Sequence, residues 1–444
     1  MATDRAPAPP ARPPEHRLLG LRLSMMMFFQ WAMFGLWIPV VGRFLLAPAA
    51  AGGLGFTNAQ VGAILGISGT LGALLAPFLG GQIADRYVPT QRLLAALLLL
   101  GGALQWVTAH QTTFAAWMGL SIASSIAFAP TGALSNSLAF AHMSDPSRQF
   151  PRVRVWGTIG WIVPAWAFPM IWLQTGLSLR WKPPFLVGQE FPDVTHRLID
   201  SFHAAALLAF VYALYCLTLP NTPPKRGARD RLAVRKAFRL LRRRSFAVLT
   251  AVSLLISAIH NIYFIQTGPL LSSLGVRDAD IMPAMSIGQL AEILVLAAVG
   301  LMLKRLGFRW VLAIGASAYV LRFAIFGTTS LPLGLIVASQ ALHGVCFACF
   351  YAAAFIYVDR LAEEDVRHSA QTIFGILLGV GPVIGGWLNG KLAAMFTPPG
   401  GKLDYSAFWY TVAAIGLLAT ILLASLFRDE AKKARPPEAE TAAS

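Results

Sequence analysis

The sequence predicts an all-α membrane protein with twelve transmembrane helices in two six-helix halves. Of its 444 residues, 56% are apolar and 13% are charged, whereas soluble domains carry about 25% charged residues. Apolar stretches without charge recur throughout, each with the roughly 18 or more residues that a membrane-crossing helix needs. A short motif is also repeated at the same place in each half. Together these observations exclude a soluble protein with a single core.

The expected helices fall into two sets of six. The first set is expected at about 21–46, 57–84, 91–109, 113–140, 152–175 and 202–219. The second set is expected at about 246–271, 282–303, 308–328, 331–358, 367–396 and 405–427. Each set (21–219 and 246–427) is expected to pack as a bundle, joined by a basic linker at 220–245 and flanked by tails at 1–20 and 428–444.

The basic residues predict the orientation of the chain. Most of the 36 Lys and Arg residues fall in the two tails, the linker and the loops after even-numbered helices. Segments rich in Lys and Arg stay in the cytoplasm, so both termini are expected there, as in a multi-pass protein of a bacterial inner membrane. The net charge of +16 therefore indicates topology and no nucleic-acid partner. Residues 225–244 are expected to lie on the anionic inner leaflet, with a regulatory partner as the alternative.

The repeated motif ends the second and the eighth predicted helices. Residues 81–86 read G-Q-I-A-D-R, and residues 300–305, which lie 219 positions later, read G-L-M-L-K-R. Two such halves with a site between them near the midplane are the usual construction of secondary transporters. No Ser/His/Asp, metal-ligand or phosphate-binding motif occurs at a usable spacing, so neither an enzyme nor a cofactor is expected.

The fifth predicted helix carries a charged residue where lipid-buried helix is expected. Arg154, Thr158 and Trp161 are spaced at i, i+4 and i+7, so they share one helix face. A guanidinium, a hydroxyl and an indole on one face suit a polar, partly flat solute in an internal cavity. The alternative is that Arg154 extends its side chain to the lipid headgroups. The shared face favours the cavity.

Glu292 is the only acidic residue in the middle of a predicted helix. A carboxylate there either pairs with a cation or becomes protonated, and both behaviours suit a transporter. A purely structural pair with Arg322, one helix away, is the alternative. Other polar side chains in the helices, including His260, Tyr263 and Gln289, are individually more typical of helix–helix contacts than of ligand binding.

Several segments resemble the nucleoside–proton symporters, a branch of the major facilitator superfamily. Residues 150–160, F-P-R-V-R-V-W-G-T-I-G, resemble the fifth-helix signature of that family, and further similar segments are 130–136, 288–292, 321–326 and 369–371. The resemblance extends from the first to the last helix. The motif at 81–86 resembles the signature loop of the superfamily.

The resemblance implies proton-driven uptake of nucleosides and assigns roles to individual residues. Arg154, Thr158, Gln289 and Glu292 would contact the nucleoside, with Trp161 and Phe347 as aromatic residues of the pocket. Glu292 would also carry the proton. His260 and Tyr263 would occupy positions where the family has amides. Asp85 and Arg86 would join helix ends across the cytoplasmic gap in one state.

One departure from the family pattern concerns the proton. Characterised symporters have an aspartate directly after the phenylalanine of helix 10, and this chain has Ala348 after Phe347. The sequence thus predicts a transporter of nucleosides or similar solutes that works by alternating access, with protons and the lipid bilayer as partners. The alternatives are an uncoupled facilitator or exporter of another polar molecule, and a substrate sensor with the same fold.

Overall fold

The structure of this chain is a computed structural model. It describes residues 14–83, 87–181, 185–224, 239–362 and 367–430. The expected gating residues Asp85 and Arg86 and most of the basic linker lie outside these ranges.

The first six helices lie close to their predicted positions. They are α1 (Pro14–Leu46), α2 (Asn58–Ala76, continued by a π-helical turn over Pro77–Ile83), α3 (Thr90–Ala109), α4 (Phe114–Ala141), α5 (Pro146–Phe168, continued by a π-helical turn over Pro169–Leu173) and α6 (Asp200–Thr218). Local signals set several ends. Thr57 forms a reciprocal cap with Gln60 at the start of α2, and Asp145 accepts a bond from the amide of Arg148 at the start of α5.

The second six helices include one apparent helix that is too long for a membrane. Residues Asp278–Gly327 form 50 continuous helical residues except at Gly307, which has φ 76° and ψ 169°. At 1.5 Å per residue this length would be about 75 Å, more than twice the hydrocarbon thickness. Gly307 therefore separates α8 (278–306) from α9 (308–327). The eleven apolar spans found among the described residues thus correspond to the twelve helices predicted.

The remaining helices of this set are α7 (Arg244–Ser273), α10 (Leu333–Leu361), α11 (Arg367–Leu378 and Gly381–Met395) and α12 (Tyr405–Leu426). The glycine-rich α11 is interrupted between Leu378 and Gly381. Its glycines also serve close packing. A Cβ at Gly385 would collide with the backbone of Ala258 on α7, and a Cβ at Gly386 with the backbone of Gly62 on α2.

A small antiparallel hairpin after α5 is the addition to the predicted all-α architecture. Its strands are β1 (Gln174–Leu179) and β2 (Leu186–Glu190), paired from Gln174 with Glu190 to Leu179 with Leu186. The hairpin contacts the start of α8, because Glu190 accepts a hydrogen bond from the backbone amide of Ala279 at 2.7 Å. It therefore links the first helix set to the second.

The main contacts between the two sets are those of α1 with α7, α2 with α11, and α5 with α8. Within the first set, a buried polar network joins three helices. Gln30 on α1 donates to Thr131 at 2.9 Å, and Ser135 bonds both Gln30 at 3.2 Å and Tyr212 at 2.9 Å. The polar groups of this network are hydrogen-bonded to one another within the first set, so other residues form the interface between the two sets.

Candidate binding cavity between the helix sets

A cavity of about 340 Å³ lies between the two helix sets, within the range of small-molecule sites. From the first set it is lined by Trp31, Trp37, Ile38, Val41, Leu65, Arg154, Gly157, Thr158 and Trp161. From the second set it is lined by His260, Asn261, Phe264, Gln289, Glu292, His343 and Phe347. Seven of the eight residues expected to contact a solute are therefore brought together in one cavity.

The α5 face carries the cavity's cation. Arg154, Thr158 and Trp161 all line the wall, and the Arg154 guanidinium carbon lies 4.7 Å from the centre of the Trp31 ring. Gly157 makes this arrangement possible, since a Cβ there would lie 2.6 Å from both Arg154 and Trp31. Arg154 is therefore directed into the protein interior, not toward lipid headgroups.

Glu292 supplies the cavity's carboxylate from α8. Its side chain is 7% exposed, and no basic group of the described residues lies within 4 Å of it. Arg154 is the cation whose charge acts on it across the cavity. The alternative of a structural pair with Arg322 is wrong, because Arg322 Nη1 instead bonds Nδ1 of His343 at 2.9 Å. The buried oxygens Gln289 Oε1 and Asn261 Oδ1 also have no protein partner in the described chain. Such groups generally bond to water or ligand.

Tyr263 is the expected site residue that does not line the cavity. Its side chain is fully buried, its hydroxyl donates to Gln340 at 2.9 Å, and its ring lies under the guanidinium of Arg322 at 4.1 Å. Its neighbour His260 does line the wall, and Nδ1 of His260 is hydrogen-bonded to the Tyr319 hydroxyl at 2.7 Å. Tyr263 thus supports the wall from behind.

Several residues that line the cavity are not among the site residues predicted from the sequence. Trp31, Asn261, Phe264 and His343 all face the cavity. On α1, the residues at 31, 38 and 41 share a face at i, i+7 and i+10, which is the signal that identifies this wall in retrospect. The adjacent Gln30 is the more visible polar residue, but its side chain faces α4, where it bonds Thr131 and Ser135.

The two sets are tied together at the end of the molecule where α1 ends and α8 begins, here called the closed end. Asp278 accepts from Arg43 Nε at 2.8 Å and from Thr195 at 2.7 Å. Gln266 on α7 donates to Asn58 on α2 at 2.6 Å and to Asn389 on α11 at 2.7 Å. These bonds join α1 to α8, α2 to α7, and α7 to α11 on one side of the cavity.

The hairpin adds a titratable group to the closed end. Burial raises the pKa of the Glu190 carboxyl, although its bond from the Ala279 amide and the nearby Arg277 act in the opposite direction. Arg277 donates to the backbone oxygen of Gly188 at 2.8 Å, which is a second bond between hairpin and α8.

Comparison with known proteins identifies the family. Residues 18–432 match the profile of the nucleoside H+ symporters. The Escherichia coli K12 protein YegT is 32% identical to this chain over 92% of the chain and 93% of its own length. The nucleoside permease NupG of the same organism is 26% identical, over 92% and 96%.

Solved structures agree with that assignment. A crystal structure of the nucleoside transporter NupG superimposes with a TM-score of 0.76 at 25% identity, covering 92% of this chain and 99% of that chain. A D-xylose–proton symporter superimposes with a TM-score of 0.69 at 13% identity, which shows the shared major facilitator fold. The chain is a multi-pass membrane transporter, and it belongs to the nucleoside H+ symporter family.

Proposed function

We propose that this protein imports nucleosides across a bacterial inner membrane by proton symport. The observation that carries the proposal is the cavity between the helix sets, where Arg154 and Glu292 face each other without a direct ion pair beside several aromatic rings. A nucleoside presents a flat base and a sugar with hydroxyl groups. Ring faces bind the base, and charged or amide groups bind the hydroxyls and base edges.

The chemistry of the lining suggests how the solute is held. Trp31, Trp161 and Phe347 offer ring faces, while Thr158, Gln289 and Asn261 offer hydrogen-bonding atoms. Two of these atoms, Gln289 Oε1 and Asn261 Oδ1, have no protein partner within the described residues. A buried acceptor without a partner is costly, so a solute that donates to it gains affinity.

Alternating access requires two bodies that move against each other. We assign these bodies to the two six-helix sets, with the closed end toward the outside and both termini in the cytoplasm. In this state the bonds of Asp278 and Gln266 hold the outer gate shut. The expected latch of Asp85 and Arg86 would act at the opposite, cytoplasmic end in the other state.

The first experiment is a binding panel of purine and pyrimidine nucleosides against purified protein, read as thermal stabilisation. A ligand that binds only the native state stabilises it by about 2.7 kcal/mol at 100 times its dissociation constant. The proposal expects stabilisation by nucleosides and none by free ribose or by D-xylose. A protein stabilised by no nucleoside would contradict it.

One feature favours a second candidate, an uncoupled facilitator. Ala348 is a fully buried methyl group on α10, directly after Phe347, where the pattern of the family that this chain resembles has an aspartate. Glu292 is then the carboxylate that remains for proton coupling among the cavity-lining residues. Nucleoside flux into liposomes without a proton gradient would distinguish a facilitator from a sensor that binds nucleoside without transporting it.

The proposed orientation can be tested by labelling cysteines with a membrane-impermeant reagent. Cys216, Cys346 and Cys349 are buried and can be replaced by alanine first. Trp181→Cys, at a fully exposed position after β1, should then be labelled only from outside, and Tyr87→Cys, exposed after α2, only from the cytoplasm. Labelling of both from the same side would contradict the arrangement of two sets of six.

Weakening the outer gate should favour the outward-open state. Asp278→Asn removes the charge that accepts from Arg43 and Thr195. A hydrogen bond to a charged group contributes about 1.5–3 kcal/mol, so the ratio of states should shift by about 10- to 150-fold. The measurement is the rate at which external reagent modifies Val41→Cys in the cavity wall. Asp193→Asn is the matched control, because Asp193 pairs with Arg197 inside the first set. Equal rates in both variants would argue against the gate.

A further inference from the structure

Arg322 is a buried cation on α9 without a carboxylate partner in the described part of the chain. Its side chain is 0% exposed, and Nη1 donates to Nδ1 of His343 at 2.9 Å. Its Nε and Nη2 have no hydrogen-bond partner among the same residues. The guanidinium carbon lies 4.1 Å from the centre of the Tyr263 ring and 5.1 Å from that of Phe323. Ring faces attract cations, so aromatic packing offsets part of the cost of this burial.

The bond from Arg322 determines the protonation of His343. A guanidinium can only donate, so Nδ1 of His343 must accept and carries no proton. A neutral imidazole then has its proton on Nε2. A doubly protonated ring would direct one N–H at another and place a second cation beside Arg322. Arg322 thereby selects a single neutral tautomer.

The remaining nitrogen of His343 is available to the cavity. His343 lies in the cavity wall on α10, and Nδ1 is turned back toward Arg322. Its ring stacks on His260 with centroids 5.4 Å apart and planes inclined by 24°. The other titratable neighbours are Tyr263 on α7 and Glu292 on α8. No hydrogen bond to Nε2 is made by any described residue, so its N–H can bond a solute.

We propose that Arg322 is a positioning residue that keeps His343 neutral with its proton on Nε2, so that His343 selects nucleosides with a base carbonyl oxygen at this place. The proposal rests on the nucleoside function proposed above and narrows its substrate class. An oxo group accepts from Nε2–H. An exocyclic amine would direct N–H at N–H and leave both buried donors without an acceptor. With the pyrimidine C4 or the purine C6 substituent at this place, the site prefers uridine to cytidine and inosine to adenosine.

The preference can be measured as the ratio of dissociation constants within each nucleoside pair. An unpaired buried donor predicts a ratio of about 5 to 150 in the native protein. His343→Phe, which keeps a ring but removes both nitrogens, should bring the ratio close to one. His142→Phe is the matched control, since His142 bonds Thr222 outside the cavity, and should leave the ratio unchanged. An unchanged ratio in His343→Phe would overturn the proposal.

The role of Arg322 is tested by combining variants. Arg322→Met removes the donor without stranding an opposite charge, so folding should be retained, and the thermal midpoint without ligand checks this. The ratio of dissociation constants should fall in Arg322→Met. It should remain largely intact in Arg322→Gln, because the glutamine amide can donate to Nδ1. It should fall no further when Arg322→Met is added to His343→Phe. Additive losses would show that Arg322 acts independently of His343.

A spectroscopic readout separates this proposal from the proposed function. In protein labelled with [15N]histidine, the resonances lost in His343→Gln identify His343. They should show the neutral Nε2–H tautomer from about pH 5 to about pH 8, and Arg322→Met should remove that fixed pattern. An Nδ1–H tautomer or a protonated ring in the native protein would overturn the positioning role. Native protein that shows the expected tautomer but binds none of the four nucleosides would overturn both the substrate selection and the nucleoside function.

Discussion

Arg154→Ala is expected to weaken nucleoside binding by about 10- to 150-fold while the protein still inserts and folds. The guanidinium lines the cavity and lies over Trp31, so under the proposed function its loss removes the charge-assisted bonds that it would make to the solute. Such bonds contribute about 1.5–3 kcal/mol each. Titration of nucleosides against purified variants measures the effect, and the yield and elution volume of the variant show that it is folded.

Two variants make this result specific. Arg148→Ala alters an arginine at the start of the same helix that is 84% exposed and paired with Asp145, and it should bind nucleosides as the native protein does. Arg154→Lys should recover only part of the affinity, because an ammonium lacks the planar fork of a guanidinium. Native affinity in Arg154→Ala would place the side chain outside the binding machinery.

The membrane fold could be predicted from sequence because bilayer thickness imposes a length on every apolar segment. That constraint located the twelve helices, including the division between α8 and α9. These two helices lie in one long apolar region, which only a short basic segment next to Gly307 divides. It carried no information about the hairpin after α5. The strands of that hairpin are short, lie outside the apolar spans and are fixed by contacts with α8.

The cavity was only partly predictable, for reasons visible in α1 and α5. On α5, Arg154 and Thr158 are polar residues in an apolar helix, so their spacing reveals the face that avoids lipid. On α1 the polar Gln30 marks the face that packs against α4, while the cavity face carries Trp31 and aliphatic residues. Apolar residues that line a cavity cannot be distinguished by pattern from those that face lipid.

Partner choice was the least predictable feature. Glu292 and Arg322 are opposite charges on neighbouring helices, and a local argument pairs them. In the structure, α9 is instead oriented so that Arg322 faces Tyr263 and His343. Helix rotation depends on packing over the whole bundle, which no local spacing encodes. Because Arg322 faces away from it, Glu292 lines the cavity without an arginine partner from α9.

Glu292→Gln is expected to abolish accumulation of nucleoside driven by an inward proton gradient. Among the residues that line the cavity, Glu292 is the carboxylate, and no described basic group pairs with it within 4 Å. A proton carrier must load on one side of the membrane and release on the other, so its environment has to change between the two states. The charge of Arg154, supplied by the opposite helix set, can provide that change when the sets move. Uptake into liposomes with and without the gradient measures the effect.

The same assay distinguishes the remaining mechanisms. The amide of Glu292→Gln can still hold a solute, so this variant should retain exchange of nucleoside down its own gradient. His343 cannot substitute as the carrier if Arg322 keeps it neutral, whereas His260, which lines the cavity and bonds Tyr319, can be tested as His260→Gln. Accumulation that persists in Glu292→Gln and disappears in His260→Gln would move the proton site to α7. A native protein that never accumulates nucleoside under the gradient would instead be a facilitator or a carrier coupled to another ion, with Ala348 at the position where the family pattern has a candidate proton carrier.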